Sequence, residues 1–208
     1  MYKLLGRQTS GNVQKVLFML EEMGADYKRE DYGRLFENTK TPEYQAMNPT
    51  SKVPTFVDGD DVIWESNTIL RYLANSAAPA LTGATPAEKT EVERWMDFIL
   101  AAINPGYLAA FKGAKLAPEE RAPEYETQVK DLAAQLQIID GHLAGKDFLA
   151  LGKLTIADIA CAPILKRCLG FKIERPELPN LQRWMAAIEA RPAFQSATAP
   201  ASAASKVA

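Results

Sequence analysis

Apolar positions in the first 75 residues change period several times. Tyr2 to Leu5 forms a brief run that stops at Gly6, which predicts a short strand. Val13, Val16, Leu17, Leu20 and Met23 then recur in steps of three and four, the spacing of one helical face. Gly24 is placed to end that helix. Tyr27 to Tyr32 reads as a second strand. Thr41-Pro42-Glu43 supplies a cap, a first-turn proline and an acidic first turn, opening a short helix that ends near Asn48-Pro49. Thr55 to Val57 and Val62 to Trp64 flank the turn Asp58-Gly59-Asp60-Asp61 and predict a hairpin. Ser66 is expected to cap a helix carrying Ile69, Leu70 and Leu73. The predicted order is β-α-β-α-β-β-α.

Beyond residue 85 the pattern is helical throughout. Residues 77–85 have no period and read as a linker between a first domain, 1–76, and a second, 86–195. Thr85-Pro86-Ala87-Glu88 is a capping box with a proline at the first helical position. The helix it opens buries Val92, Trp95, Met96, Ile99 and Ile103, and Pro105 is expected to kink or end it. Val129, Leu132, Leu136, Ile139 and Leu143 mark another helix. Thr155-Ile156-Ala157-Asp158 opens a third, in the most apolar stretch of this half. A fourth passes through Leu181, Trp184, Met185 and Ile188 and stops at Arg191-Pro192. Residues 196–208 are mostly alanine and serine, with little to bury, and are expected to form an unstructured tail. The fold class is α+β, a small mixed domain followed by an all-helical one.

Composition narrows the function classes. The 208 residues are 47% apolar and 24% charged, a balance that excludes disorder over most of the length. With 24 basic against 26 acidic side chains and a net charge of −2, the chain lacks the basic surplus of a nucleic-acid binder. No apolar run approaches the roughly 18 residues of a membrane span, and the first residues hold no signal-peptide block. The chain reads as cytoplasmic. Cys161 and Cys168 share one helical face in an apolar stretch, which predicts two buried free thiols. One histidine and these two cysteines make no metal site. The same single histidine, His142, argues against a Ser-His-Asp triad.

Three segments carry candidate chemistry. The turn Arg7-Gln8-Thr9-Ser10-Gly11-Asn12 joins a strand to a helix, and free N–H groups at that helix start attract an anion. Ser10, Thr9 or Asn12 then either caps the helix or offers a hydrogen bond to a thiolate or alkoxide. Lys52-Val53-Pro54 precedes a hairpin strand. A cis bond there turns the N–H and C=O of Val53 outward to pair with an extended peptide, whereas a trans proline merely starts an edge strand. Glu65 and Ser66 offer a carboxylate, a hydroxyl and a helix-start N–H, a set suited to the free end of an amino acid. Here too a plain cap is the alternative.

The order of these segments resembles that of the glutathione transferases, and the resemblance covers about 190 residues. It is carried by Ser10-Gly11-Asn12-Val13-Gln14-Lys15-Val16-Leu17, by Asn48-Pro49 with Val53-Pro54, and by Trp64-Glu65-Ser66-Asn67 followed by Ile69-Leu70-Arg71-Tyr72-Leu73. Leu154-Thr155-Ile156-Ala157-Asp158 adds a structural capping box. The resemblance implies a thioredoxin-like first domain that binds glutathione as cosubstrate and a helical second domain that takes a small electrophile. Trp95, Phe98, Ala102, Tyr107 and Phe111 are then candidates to meet the electrophile, with core packing as the alternative. Val53 is expected to pair with the cysteinyl part ahead of a cis Pro54, Glu65 and Ser66 to hold the γ-glutamyl end, and Lys52 to meet the glycyl end.

Ser10 matches the serine of the serine-type classes (theta, phi and zeta), with Thr9 and Asn12 open because turn lengths vary. The first turn has neither tyrosine nor cysteine, so the tyrosine-type and disulfide-exchanging members do not fit. Asn38-Thr39-Lys40 stands where many members have histidine or glutamine. The implied activity is detoxifying transfer of small hydrophobic groups to glutathione by a homodimer, without metal. A narrower dehalogenase, ether-cleaving enzyme or isomerase and a non-catalytic association module are the alternatives.

Overall fold

The structure is a computed structural model, and it describes residues 1–200. The chain divides into two compact units, one of Met1–Ala80 with the segment from Glu189 onward, the other of Leu81–Ile188. The first unit contains β1 (Tyr2–Leu5), α1 (Gly11–Glu22), β2 (Tyr27–Glu30), α2 (Pro42–Met47), β3 (Thr55–Asp58), β4 (Asp61–Trp64) and α3 (Ser66–Ser76), in the predicted order. The strands lie in the order β2-β1-β3-β4, with β1 and β2 parallel and the other neighbours antiparallel. This is the thioredoxin-like mixed sheet.

Local chemistry accounts for the boundaries. Gly24 takes φ +61 one residue past the C-cap of α1, a conformation that costs glycine nothing. The Thr41 hydroxyl accepts from the Tyr44 N–H at 3.3 Å, and Pro42 follows at the first helical position. Ser66 departs from expectation. It is the first residue of α3 rather than its cap, because the strand leaves the sheet through Glu65, which holds the cap position without a side-chain bond.

The end of the chain also differs. Residues up to Thr198 form a helix, α9 (Pro192–Thr198), so that 196–198 of the expected tail are helical, and it packs on α1 of the first unit. Its brevity hides three anchors. Phe194 meets Phe18 edge-on with ring centroids 5.1 Å apart, and Ala197 is buried beside it in sequence register. Arg191 makes a two-pronged ion pair with Glu22, at 2.5 and 2.9 Å. Residues 201–208 of the expected tail lie outside the described residues.

The second unit is helical: α4 (Pro86–Phe98), α5 (Asn104–Gly113), α6 (Tyr125–His142), α7 (Ile156–Gly170) and α8 (Pro179–Glu189). The helix of α4 ends ahead of Pro105 rather than at it. A π-type turn over Ile99–Ile103 widens the backbone first, and the proline then sits in the first turn of α5, where its missing N–H is harmless. Helix α7 is the centre of this unit, with Ile156, Ile159, Ala160, Leu165 and both free cysteines buried. Burial pushes the Cys168 thiol up to about 12, so it stays protonated and inert.

Asp158 ties this unit together. Its Oδ2 accepts from the N–H and hydroxyl of Thr155, at 3.0 and 3.2 Å, closing the capping box. Its Oδ1 accepts from the Leu149 N–H at 2.9 Å and the Trp184 indole at 3.0 Å, linking the preceding loop and α8. Burial raises the carboxyl to about 6 despite these four donors.

Two outcomes follow for Asp158. Asp158→Ala orphans buried donors on three segments and should cost at least about 2 kcal/mol in denaturant melts; unchanged melting would show that the contacts carry no stability. In carboxyl-carbon NMR the group should titrate near 6 rather than at its ordinary 3.8. The folded state then holds this proton more tightly than the unfolded chain. Its contribution to stability is full below 3.8 and is lost as pH rises through about 6.

Candidate functional site

Sheet register decides where the three candidate segments meet. Leu5 of β1 lies opposite Thr55 of β3, and Thr55 lies opposite Trp64 of β4. The end of β1, the start of β3 and the end of β4 therefore form one row across the sheet. At about 4.8 Å between strands, that row spans about 10 Å. The turn bearing Ser10, the Val53-Pro54 loop and the Glu65-Ser66 corner all leave the sheet from this row.

Ser10 holds the cap position of α1 with extended backbone (φ −83, ψ 125), yet its hydroxyl makes no capping bond. The first intrahelical bond runs from the Gln14 N–H to the Ser10 carbonyl at 2.9 Å. The N–H groups of Gly11, Asn12 and Val13 thus have no helical acceptor, and no acidic residue stands in this first turn. Ser10 is largely buried, whereas Thr9 and Asn12 are exposed. Among the three turn residues only Ser10 combines a sheltered position with a hydroxyl not spent on capping.

The Val53-Pro54 bond is cis. Among the described residues the N–H and C=O of Val53 take no hydrogen-bond partner. The loop is framed from beneath by a buried polar cluster. Asn48, 1% exposed, donates from Nδ2 to the Lys52 carbonyl and the Thr55 hydroxyl, both at 2.9 Å. Its Oδ1 accepts from the N–H and hydroxyl of Thr50, at 3.1 and 2.7 Å. The Tyr44 hydroxyl donates to the same Lys52 carbonyl at 2.6 Å, so the Thr55 hydroxyl, 2.8 Å away, must donate to Tyr44. Burial raises the Tyr44 phenol and keeps it a neutral donor. From above, Gly6 allows the close approach: a Cβ there would meet Val13 at 2.5 Å and the Val53 Cβ at 3.3 Å. Gly33, at φ +83, likewise leaves room for the Val53 side chain and Arg7.

At the third corner, Glu65 takes φ +68 and ψ 114, a conformation that L residues rarely adopt. Its side chain is exposed, while Ser66 and Asn67 are buried. Holding a non-glycine residue there costs of order 1–3 kcal/mol, and such strain gathers at ligand clamps. Helix α3 has no acid in its first turn either. Two helix N-termini, a hydroxyl, an unpaired backbone edge and a carboxylate thus ring one end of the sheet, a set able to hold a zwitterionic peptide and stabilise an anion on it.

Comparison with known proteins gives this geometry its family. The sequence model of the glutathione S-transferase N-terminal domain matches residues 2–75, and that of the C-terminal domain matches residues 95–192. The chain belongs to the glutathione S-transferase family. It is accordingly a transferase. Glutathione S-transferase GstB of Escherichia coli is 33% identical over 200 residues, 94% of this chain and 96% of that one. Glutathione S-transferase 3 of Zea mays is 31% identical, covering 95% and 93% of the two chains. The theta class glutathione S-transferase from Xanthomonas axonopodis pv. citri, solved with glutathione bound, is 37% identical. It superposes with a TM-score of 0.89 over 96% of this chain and 98% of that one.

Other candidates named from the sequence of this transferase fall elsewhere. Lys52 is exposed, and its carbonyl is the group that Asn48 and Tyr44 hold. Asn38 pins its own loop, donating to the Asp31 carbonyl and accepting from the Gly33 N–H, both at 3.0 Å. Trp95, Phe98, Tyr107 and Phe111 lie in the second unit. The Trp95 ring packs against His142 with centroids 4.3 Å apart and the planes tilted by 43°, and Arg167 donates to the Tyr107 hydroxyl at 3.2 Å. Among the described residues no cluster of His, Cys, Asp or Glu can hold a metal, and no helix is long and apolar enough to cross a membrane.

Sequence reasoning missed Tyr44, Thr55, Gly6 and Gly33. Tyr44 and Thr55 sit at apolar-patterned positions and show their polar role only once folded. Gly6 carried a signal, since a glycine ending a strand marks close backbone approach as well as a stop.

Asn48→Ala removes four hydrogen bonds, leaves the buried Thr55 hydroxyl without its Asn48 donor, and should cost about 1–3 kcal/mol in denaturant melts, with a loosened Val53 loop in amide exchange. Wild-type stability would show that the cluster does not frame the loop. Glu65→Gly should melt above Glu65→Ala, because glycine adopts the positive φ freely while alanine keeps the strain. The reverse order would show that the corner stores no strain.

Proposed function

We propose that this transferase binds glutathione across the sheet row of its first unit and adds the glutathione thiolate to small hydrophobic electrophiles. The observation that carries the reading is the convergence of Ser10, Val53-Pro54 and Glu65-Ser66 on that row, in a family with a glutathione-bound structural neighbour. The cysteinyl backbone pairs with Val53 as an added antiparallel strand segment. The γ-glutamyl ammonium meets Glu65, and its carboxylate meets the Ser66 hydroxyl and the start of α3. Lys52 serves the glycyl carboxylate.

The chemical step needs only a stabilised anion. A free thiol titrates near 8.5, so at pH 7 only a few per cent is thiolate. Lowering that by about two units takes roughly 2.7 kcal/mol. A charge-assisted bond from the Ser10 hydroxyl, about 1.5–3 kcal/mol, and the α1 N-terminus, about 0.3–1 kcal/mol, together bracket that requirement. The thiol proton leaves to solvent, the sulfur forms a bond to the electrophilic carbon, and the displaced leaving group or the added electron pair takes up the balancing charge or proton. The enzyme is proposed to act in the cytoplasm as a homodimer in detoxification, as the family resemblance implies.

Thiolate absorbance titrated with bound glutathione tests the assignment. Ser10→Ala should leave glutathione affinity within a few-fold, raise the bound thiol's pKa by about one unit per 1.36 kcal/mol lost, and slow turnover at pH 7 with partial recovery at higher pH. Coincident titration curves would remove Ser10 from the chemistry and pass the role to Thr9 or Asn12.

A further inference from the structure

A lysine ammonium lies buried between the two helices whose N-termini form the site. Lys15, on α1, is 1% exposed, and its Nζ donates to Oδ1 of Asn67 at 3.3 Å. Asn67 is 2% exposed and follows Ser66 directly in the first turn of α3. Lysine is almost never buried for packing alone: removing a cation from water costs several kcal/mol, and Met or Leu would fill the same volume without that cost. The bond has a fixed sense. An ammonium only donates, so the Asn67 amide must turn its oxygen to Lys15 and its NH2 the other way. Lys15 thereby sets the orientation of the residue adjoining the Glu65-Ser66 corner, whose backbone at φ +68 has to be held by its surroundings. It also places a positive charge within the same helix pair as the two N-termini, and neither first turn contains an acid.

We propose that Lys15 is a positioning residue for glutathione: through Asn67 it holds the Glu65-Ser66 corner in its binding geometry, and its charge favours the thiolate over the thiol. This rests on the glutathione reading above. It differs from a core-packing role in one respect, since packing is blind to the charge on the side chain and to the ionisation of a bound thiol.

The test compares wild type, Lys15→Met, Lys15→Arg and Asn67→Ala by glutathione calorimetry, thiolate titration and steady-state kinetics. Lys15→Met keeps the length of the side chain and removes its charge and donors. It should weaken glutathione binding about tenfold, raising KM for glutathione more than it lowers kcat at saturation, and raise the bound thiol's pKa by about half a unit to one unit. Lys15→Arg should restore most of both effects. Asn67→Ala should weaken binding to a similar degree, and it decides the matter if Lys15→Met does not fold. Wild-type affinity and wild-type thiol pKa in folded Lys15→Met, or wild-type affinity in Asn67→Ala, would overturn the role of Lys15 and leave the glutathione reading intact. Absence of glutathione binding in the wild type would instead overturn that reading itself.

Discussion

The pairing of Leu5 with Thr55, and of Thr55 with Trp64, is the constraint from which the site follows. A ladder slip of one residue would send every side chain of a strand to the opposite face. It would also carry the Val53 loop out of line with the turn after β1 and the corner after β4. Register here is held by burial: Leu4 and Leu5 of β1 and Thr55 and Phe56 of β3 are buried on both faces of the sheet, so a slip would break the packing of each. The same burial that folds the unit thus fixes three polar segments to one edge. No segment needs strong binding capacity by itself, because each supplies one or two groups to a row about 10 Å long.

Around that row, stability and binding capacity are arranged in two tiers. The lower tier is paired: Asn48, Tyr44 and Thr55 hydrogen-bond to one another and to the Lys52 carbonyl, and Thr50 completes Asn48. The upper tier is left open. The Ser10 hydroxyl does not cap, the Val53 backbone has no partner among the described residues, and Glu65 is exposed at a strained backbone. Buried polar groups that are all paired rigidify a structure, whereas polar groups kept unpaired at a rim are ready for a ligand. The first tier keeps the second from collapsing onto its own hydrogen bonds.

The helical unit repeats the principle with a carboxylate. Asp158 accepts from Thr155, Leu149 and Trp184 and so joins the start of α7 to a loop and to α8. Its raised pKa records the cost of keeping that charge from water. Lys15 is the counterpart in the first unit, a cation kept from water and bonded to Asn67 next to the Glu65-Ser66 corner. In both places a buried ionisable group joins elements that packing alone would leave unlinked, α7 to α8 through Asp158 and α1 to α3 through Lys15.

Much of this was legible in the sequence, wherever a feature is decided within a few residues. Helical periods, the caps at Thr41, Thr85 and Thr155, the stop at Gly24 and the hairpin at Gly59 all depend on local spacing and local hydrogen bonds. The order of Ser10, Val53-Pro54 and Glu65-Ser66 along the chain was also plain, and it carried the family resemblance. Features joining distant residues were decided only by the tertiary structure. Whether Ser10 spends its hydroxyl on capping, which of the neighbouring side chains turn inward to frame Val53, and why the strand must end in Gly6, which faces Val53 from far along the chain, depend on packing that local spacing does not show. Residues 196–198 looked too poor in apolar side chains to fold, yet they complete α9, which Phe194 and Arg191 anchor on Phe18 and Glu22 of α1. A pattern of residues shows what a segment can bury or donate; only packing supplies the partner that makes it do so.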